Sequence, residues 1–336
     1  MKNYWYIATS SKDLGKKPLS CKILNEPIVL FRDENDIPLA LLDRCPHRNA
    51  SLSHGKIEKG IIRCSYHGWE FNGEGKCVFI PSLCEGEKIP GSSYTSSFPV
   101  IEQNGYIWVW IGDRKPGEDE KPFTIPHYQE NGWLHYKLRA KIINTVDNVI
   151  ENFIDSPHTG YIHKGLFRSP ATHVTKSSVK IVSDGVIIDS EEENKGDSLL
   201  ASLMSGKNEM QVHQDRFILP SIIQVGYSLG NDRHMIGYHF CTPVEDFVTY
   251  LNVCVTWHFG WLNNLGKIFV PILGQKILDQ DVEILDNQGS VIKKFGEHFT
   301  SVPADTANIW IKNLRQRLKD GQELPALREK EVNFRL

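Results

Sequence analysis

Residues 45–71 read CPHRNASLSHGKIEKGIIRCSYHGWEF, and this stretch decides how the chain is interpreted. Cys45 and His47 form a C-x-H pair, and after sixteen further residues Cys64 and His67 form a C-x-x-H pair. Each spacing places its two side chains at one turn, so a pair of β-loops can hold four ligands. Two thiolates and two imidazoles are a known ligand set for a [2Fe–2S] cluster, with a potential above that of an all-cysteine cluster. The stretch therefore predicts an iron–sulfur cluster.

A structural zinc site is the alternative, since two cysteines and two histidines also suit tetrahedral Zn²⁺. Zinc sites usually pair like ligands, as C-x₂₋₄-C and H-x₃₋₅-H, whereas each pair here is mixed, which favours the cluster. The remaining cysteines lack any partner spacing and are expected to behave as small apolar side chains: Cys21, Cys77, Cys84, Cys241 and Cys254.

The composition is that of an ordinary enzyme of two domains. The 336 residues are 40% hydrophobic and 24% charged, with a formal net charge of −3. This balance predicts no nucleic-acid partner and no membrane patch. The first residues lack the basic and then apolar pattern of a secretory signal. Seven cysteines, an odd number, fit a reducing compartment, so we expect a cytoplasmic protein without a disulfide framework.

The first third of the chain is predicted to be a small all-β domain. Residues 23–32 and 37–43 flank a polar turn and indicate a β-hairpin. Residues 113–125 are charged, contain Pro and Gly, and are the best linker candidate. We therefore expect an iron–sulfur domain over residues 1–115 and a second domain over residues 116–336.

The second domain is predicted to be α+β, an antiparallel sheet with helices packed on it. A helix is expected at 146–154, and two more are expected to follow the strands, at 265–287 and 305–318. Strands are expected at 174–182, 186–190, 222–227, 235–241 and 250–259.

A second group of polar residues follows the first predicted helix. Glu151, Asp155 and His158 fall at i, i+4 and i+7, which places them on one stripe if the helix continues. Pro157 then disturbs the helix, and His163 follows. Two imidazoles beside a helix break match two ligands of a facial triad of two histidines and one carboxylate, which binds non-heme Fe(II).

The third ligand is expected on the helix near residue 281. Residues 277, 278, 281, 284 and 285 form one helical face, and four of them are Ile or Leu. The fifth is Asp281, and an acid in an apolar stripe must be paired or bind a metal. Asp279, Glu283 and Asp286 lie to the side and are predicted to be solvated.

These motifs together resemble the ring-hydroxylating Rieske oxygenases. The resemblance is carried by CPHR at 45–48, CSYHGWEF at 64–71, GKC-x-x-IP at 75–81 and NFIDSPHTGYIH at 152–163. The run at 280–288 is also similar, though Gln280 stands where an acid is frequent. The resemblance implies a [2Fe–2S] cluster on loops 45–48 and 64–69, held by Cys45, His47, Cys64 and His67. It also implies a mononuclear Fe(II) held by His158, His163 and Asp281 in a helix-grip-like catalytic domain.

In this family the aspartate at the position of Asp155 joins a cluster histidine of a neighbouring subunit to an iron histidine. The resemblance therefore implies a bridge from His67 through Asp155 to His158, and a cyclic homotrimer. It implies electrons that come from NAD(P)H through a separate ferredoxin or flavin reductase.

The expected activity is O₂-dependent hydroxylation or oxidative demethylation of a small organic substrate. The chain length favours a monooxygenase of the vanillate-demethylase type (class EC 1.14). A Rieske electron-transfer protein, a dioxygenase, a desaturase and a ligand-binding protein with a degenerate iron site are the alternatives. The substrate is not predicted, although Arg168 is one candidate to meet an anionic group. Six apolar side chains are further pocket candidates: Met204, Met210, Phe217, Tyr238, Phe240 and Trp257.

Overall fold

The computed structural model describes residues 1–164, 174–193, 211–229 and 233–335. The chain divides into two compact units, residues 2–124 and residues 125–336, with Met1 grouped with the second. No helix within the described ranges has the length and apolarity needed to span a membrane.

The first unit is built from short antiparallel strands in three sheets, as the turn-rich sequence predicts. The orders are β1-β11-β10, β2-β3-β4-β9 and β5-β6-β7-β8. Their bounds are β1 Tyr4–Ser10, β2 Leu19–Ile23, β3 Glu26–Arg32, β4 Pro38–Leu42, β5 Lys56–Glu58, β6 Ile61–Arg63, β7 Glu70–Phe71, β8 Cys77–Phe79, β9 Ser97–Phe98, β10 Val100–Gln103 and β11 Tyr106–Ile111.

The predicted hairpin corresponds to β3 and β4, which pair from Ile28 opposite Leu42 to Arg32 opposite Pro38. Ile23, predicted to start the first strand of this hairpin, instead ends β2. The backbone of Leu24 and Asn25 has positive φ and makes a tight turn there. The prediction had therefore merged two strands.

The second unit is an eight-stranded antiparallel sheet with helices packed against it. The strand order is β12-β18-β17-β16-β15-β14-β13-β19. The bounds are β12 Leu134–Ile142, β13 Val174–Val182, β14 Gly185–Glu193, β15 Gln211–Ile218, β16 Ile222–Leu229, β17 Arg233–Glu245, β18 Val248–His258 and β19 Arg328–Arg335. The α+β prediction is confirmed.

Four helices are described, and three of them were expected. They are α1 Val146–Ile154, α2 Thr159–Ile162, α3 Asn263–Phe295 and α4 Thr306–Lys319. Thr145 begins α1 because its side chain accepts a hydrogen bond from the backbone N–H of Asn148. Burial of Val149, Ile150 and Ile154 against the sheet then fixes the helix.

The end of α1 corrects one prediction. The helix stops at Ile154, and Asp155 is extended, with φ −80° and ψ 109°. Pro157 disfavours helical backbone at the residue before it. The helix therefore ends at Ile154, within the expected bounds of 146–154, and does not continue to His158. Glu151, Asp155 and His158 therefore do not form one stripe on one helix. Instead, His158 and His163 flank the single turn of α2.

Candidate functional site: two metal centres

The four predicted cluster ligands lie on two loops of the first unit. Cys45 and Cys64 are 2% and 3% exposed, and burial, together with their contact, raises the pKa of the Cys45 thiol to about 11. The rings of His47 and His67 lie 4.5 Å apart between centroids. The structure thus brings thiol to thiol and imidazole to imidazole.

The donor chemistry fits a two-iron cluster. Nδ1 of His47 is buried and has no hydrogen-bond partner, as expected for an atom reserved for a metal. Among the described residues, one group of three or more His, Cys, Asp or Glu side chains has all its ligand atoms within 4.8 Å of one another. The four predicted cluster ligands are not that group. A lone zinc ion would need such convergence, so the geometry favours the cluster.

Aromatic and glycine residues shape the cluster loops. Trp69 stacks on His47, with ring centroids 4.6 Å apart and planes 6° apart. Trp69 also packs against the apolar core of the first unit, so it joins the cluster loop to that core. Gly68 has φ +72° and lies close to Pro81, so a side chain there would be strained and crowded.

The second centre consists of His158, His163 and Asp281, hereafter the triad. These three are the converging group found among the described residues. Nε2 of His163 lies 3.1 Å from Oδ1 of Asp281, and Nε2 of His158 lies 3.8 Å from the same oxygen. His163 and Asp281 side chains are each 2% exposed. Burial alone would lower the pKa of His163, but Asp281 raises it above its ordinary value.

Neighbouring side chains fix how the triad histidines point. Oδ2 of Asp155 lies 3.2 Å from Nδ1 of His158 and also accepts from the His158 backbone N–H. Oε1 of Gln280 lies 2.9 Å from Nδ1 of His163. With each Nδ1 engaged, each Nε2 is directed at Asp281, which is how carboxylate or carbonyl partners orient metal-binding imidazoles.

Two residues that contact the triad were not predicted from the sequence. Gln280 was noted only as a departure from the resemblance, and Asn152, whose Nδ2 donates to Oδ1 of Asp281 at 3.1 Å, was not singled out. Both come from positions beside predicted ligands, Gln280 next to Asp281 and Asn152 within the 152–163 motif. Adjacency to a ligand is the one signal that could have found them.

The helix carrying Asp281 differs in detail from its prediction. Leu278, Asp281 and Leu285 are buried, but Ile284 is 42% exposed, so it lies off the buried face. Asp286 was expected to be solvated, and this was wrong. It is half-buried, and its Oδ1 accepts from the backbone N–H of Ile143 at 2.6 Å.

A cavity of about 190 Å³ opens beside the triad. Its wall is mostly apolar, with side chains from β12, β16, β17, β18 and α3. None of the apolar candidates Phe217, Tyr238, Phe240 and Trp257 is among its described lining residues; they are buried in the core. Arg168, Met204 and Met210 lie outside the described residues.

Three polar side chains of the cavity wall were also missed: His213, Asp215 and His239. His213 and Asp215 alternate on β15, a spacing that places them on one face. The sequence offered no further signal for them.

Comparison with known proteins gives two family matches. Residues 4–98 match the Rieske [2Fe-2S] domain, and residues 145–321 match the vanillate O-demethylase oxygenase C-terminal domain. The vanillate O-demethylase oxygenase subunit of Pseudomonas sp. is 32% identical over 313 residues, covering 85% of each chain. An iron-sulfur subunit of a toluene-4-sulfonate monooxygenase system of Comamonas testosteroni is 33% identical, over 48% of this chain and 46% of its own.

Several curated relatives are matched over about half of their own length or less. Among solved structures, dicamba monooxygenase bound to dicamba has a TM-score of 0.81 at 22% identity, covering 95% of this chain and 97% of its own. At that identity the likeness shows the fold.

Proposed function

The chain belongs to the Rieske oxygenases with a vanillate O-demethylase type C-terminal domain, and from this we propose that it is the oxygenase component of a multicomponent monooxygenase system. It would use O₂ and electrons from a separate ferredoxin or flavin reductase, ultimately from NAD(P)H. The reaction would hydroxylate or oxidatively demethylate a small organic substrate. The observation that carries the proposal is the convergence of the triad beside an apolar cavity, in a chain that also has a Rieske domain.

In the first unit, Cys45, His47, Cys64 and His67 would hold the [2Fe–2S] cluster. The buried thiols would be deprotonated on binding, because a coordinating thiol loses its proton to the metal charge. Trp69 stacked on His47 limits the motion of that ring. The mixed ligand set would give the cluster a potential above that of an all-cysteine cluster.

In the second unit, the triad would hold the mononuclear Fe(II). Three protein ligands leave open positions, and the bound iron would supply O₂ activation next to the substrate. Asp155 and Gln280 keep the proton of each triad histidine on Nδ1, so that Nε2 remains a lone-pair donor. The apolar wall of the cavity binds the substrate carbon skeleton and excludes water.

Asp155 is proposed as the electron-transfer bridge between neighbouring subunits of a cyclic homotrimer. Its contact with His158 supports the iron side of this bridge. The carboxylate remains 23% exposed and can accept a further hydrogen bond. A head-to-tail ring would bring the His67 of the next subunit to each Asp155.

A Rieske electron-transfer protein remains the competing class. It would leave the triad and the match over residues 145–321 without a role. Iron content separates the two classes, because the oxygenase binds about three Fe per chain and the carrier about two.

The test combines iron analysis, EPR and substrate-dependent O₂ uptake. We expect about three Fe per chain and, after reduction, the low average g value of a mixed His/Cys cluster. O₂ uptake and formaldehyde release should then be screened with methoxy-aromatic compounds and a reductase. A protein with one zinc and no iron contradicts the cluster. Two Fe per chain after anaerobic Fe(II) loading, without substrate-dependent O₂ uptake, contradicts the oxygenase.

A further inference from the structure

A buried hydrogen-bonded pair lies on the cavity wall, formed by His213 and Asp215 of β15. Nε2 of His213 lies 2.9 Å from Oδ1 of Asp215, and each side chain is 4% exposed. Both residues line the cavity. Neither residue belongs to the triad.

Burial of this pair in an apolar wall is expected to destabilise the fold, which indicates a functional role for it. A carboxylate in an apolar wall is destabilising, and one imidazole partner offsets only part of that cost. A carboxylate can accept several hydrogen bonds, and His213 uses part of the capacity of one oxygen, Oδ1 of Asp215. Tyr227 stacks on His213, with ring centroids 4.6 Å apart and planes 13° apart, and so fixes the imidazole. The pair is thus a rigid acceptor on the wall of the cavity.

The cavity carries an excess of negative groups. Asp155, Asp215 and Asp281 line it, and no Arg or Lys does so among the residues that the structure describes. The two positive charges of Fe(II) would not offset three carboxylates. Burial lowers the pKa of His239 to about 4, so this further lining imidazole is neutral at pH 7. Among the described lining residues, a carboxylate or sulfonate on a substrate would meet no Arg or Lys.

The sheet register places Asp215 in one row with two other residues that line the cavity. Asp215 lies opposite Val225, and Val225 lies opposite Gly237 on the next strand. Gly237 has no side chain, and a Cβ built there would come within 3.1 Å of Cε1 of His239. Phe153 stacks on that imidazole, with ring centroids 4.5 Å apart. The His239 ring therefore packs against Gly237, and Asp215, Val225 and Gly237 form one row of residues on the face of the sheet that lines the cavity.

We propose that Asp215, held by His213, binds a hydrogen-bond donor on the substrate, and that the protein selects neutral or cationic substrates with a hydroxyl or ammonium group over carboxylates. The inference rests on the proposed function for the reaction, but binding alone tests it. Asp215 would set the orientation of the substrate relative to the triad without contacting the reacting atoms.

The test uses four probes of similar size: 4-methoxybenzylamine, 4-methoxybenzyl alcohol, 4-methoxybenzoate and 4-methylanisole. Their dissociation constants are measured by calorimetry on the Fe(II)-loaded protein without O₂, so that no turnover is needed. We expect the amine and the alcohol to bind at least about tenfold more tightly than the carboxylate and 4-methylanisole, since a hydrogen bond to a charged group is worth that much or more.

The diagnostic variant is Asp215→Asn. It should weaken binding of the amine by about 10- to 100-fold and leave 4-methylanisole within about twofold of the wild type. The matched control is Asp189→Asn, the same change on the neighbouring strand β14, where the side chain is 40% exposed. It should change none of the four constants. Should Asp215→Asn fail to fold, two measurements still test the proposal. They are the binding of the amine by His213→Gln and the order of the four dissociation constants of the wild type.

The proposal is overturned if the amine and the alcohol do not bind at least about tenfold more tightly than both other probes. It is equally overturned if 4-methoxybenzoate binds best and Arg168→Gln abolishes that binding. Formaldehyde release in air is scored separately. The expected binding order, in a protein that holds only two Fe per chain after Fe(II) loading and takes up no O₂ with any substrate, would contradict the proposed function and leave this inference standing.

Discussion

Each triad histidine is held at Nδ1 by a different kind of acceptor. His158 meets the carboxylate of Asp155, and His163 meets the amide oxygen of Gln280. A neutral amide fixes the tautomer of His163 without adding a further negative charge next to Asp281. The division of roles is consistent with Asp155 serving electron transfer and Gln280 serving only orientation.

Helical periodicity correctly predicted that Asp281 lies on the buried side of its helix, but it placed Ile284 on that side as well. Leu278, Asp281 and Leu285 are buried as expected, whereas Ile284 is largely exposed. The contact face of α3 is narrower than the run of Ile and Leu suggests. Contacts such as Asn152 to Asp281 join residues 129 apart in sequence, and no local pattern predicts them.

The choice of Asp281 over its neighbour can be tested directly. We predict that Asp281→Ala lowers iron from about three to about two Fe per chain and abolishes turnover, because the cluster needs only two. Asp279 is exposed and bonded to Gln275, so Asp279→Ala is the control and should retain three. Iron analysis and the EPR signal of the cluster report both outcomes. Full activity of Asp281→Ala with loss in Asp279→Ala would show that the wrong acid was chosen.

The role of Gln280 predicts a loss of metal affinity rather than of protein stability. Gln280→Leu removes the acceptor for His163 Nδ1 and should weaken Fe(II) binding by about 10- to 100-fold. Gln280→Glu keeps an acceptor and should retain most of the affinity. Gln275→Leu, on the exposed side of the same helix, is the control. Iron retention against a graded chelator measures the effect, and equal retention by Gln280→Leu and wild type would contradict it.

Among the secondary-structure elements, the strands missed from the sequence are those whose inward positions are polar or whose burial is slight. β15 presents His213 and Asp215 to the cavity, so hydrophobic alternation is interrupted where the cavity lies. β12 does not fit this account, because it alternates apolar residues with charged or His residues and buries Leu138 and Ile142. β19 lies at the edge of the sheet and buries only Val332 among its described side chains. Helices α1, α3 and α4 were predicted because their apolar spacing is regular.

A buried charge pair joins two helices of the second unit. Nε of Arg315 on α4, 2% exposed, lies 2.5 Å from Oδ1 of Asp147 on α1, and Nζ of Lys319 lies 3.0 Å from Oδ2. Burial alone would raise the pKa of Asp147, but the charges of Arg315 and Lys319 lower it from 3.8 to about 2. This stabilisation, about 2–3 kcal/mol, is present above the unfolded pKa and is lost as pH falls from about 4 to about 2.

We therefore predict that Asp147→Asn destabilises the second unit by about 3–5 kcal/mol at pH 7, since it leaves Arg315 buried without its partner. The same variant should show a flatter loss of stability between about pH 4 and pH 2. Urea unfolding followed by far-UV circular dichroism measures both effects, because the described α-helices all lie in this unit. Asp320→Asn, at the exposed end of α4, is the control. If Asp147→Asn lost stability between about pH 4 and pH 2 as steeply as the wild type, the linkage would be contradicted.

For the whole molecule, the sequence predicted an all-β part followed by an α+β part, and both are confirmed. Turn residues and apolar spacing made the fold predictable, whereas ligand spacing pointed to the metal centres, because a metal centre needs fixed residue types at fixed separations. The substrate could not be predicted, because the described part of the cavity is assembled from residues of five strands and of helices distant in sequence. The homotrimer and its electron path remain predictions that only the assembled protein can test.

The first assembly prediction separates electron transfer from metal binding. Asp155→Asn keeps the size of the side chain and loses its charge, so both metal centres should still form. The variant should show a normal Rieske EPR spectrum, near-normal iron content and little product. Single-turnover mixing with the reduced protein should show a cluster that is oxidised slowly or not at all. Loss of mononuclear iron in Asp155→Asn would instead make Asp155 a part of the iron site.

The second assembly prediction concerns whether electrons cross between subunits. Chains carrying Asp155→Asn and chains carrying His67→Ala are each expected to be inactive alone. Co-expression with two affinity tags, followed by tandem purification, selects mixed rings. In a directional trimer each mixed ring has one junction where an intact cluster meets an intact Asp155, so about one third of wild-type activity should return. Transfer within one subunit would restore none, since every chain lacks either a cluster ligand or the bridge. Inactive rings that demonstrably contain both chains would therefore exclude the route between subunits.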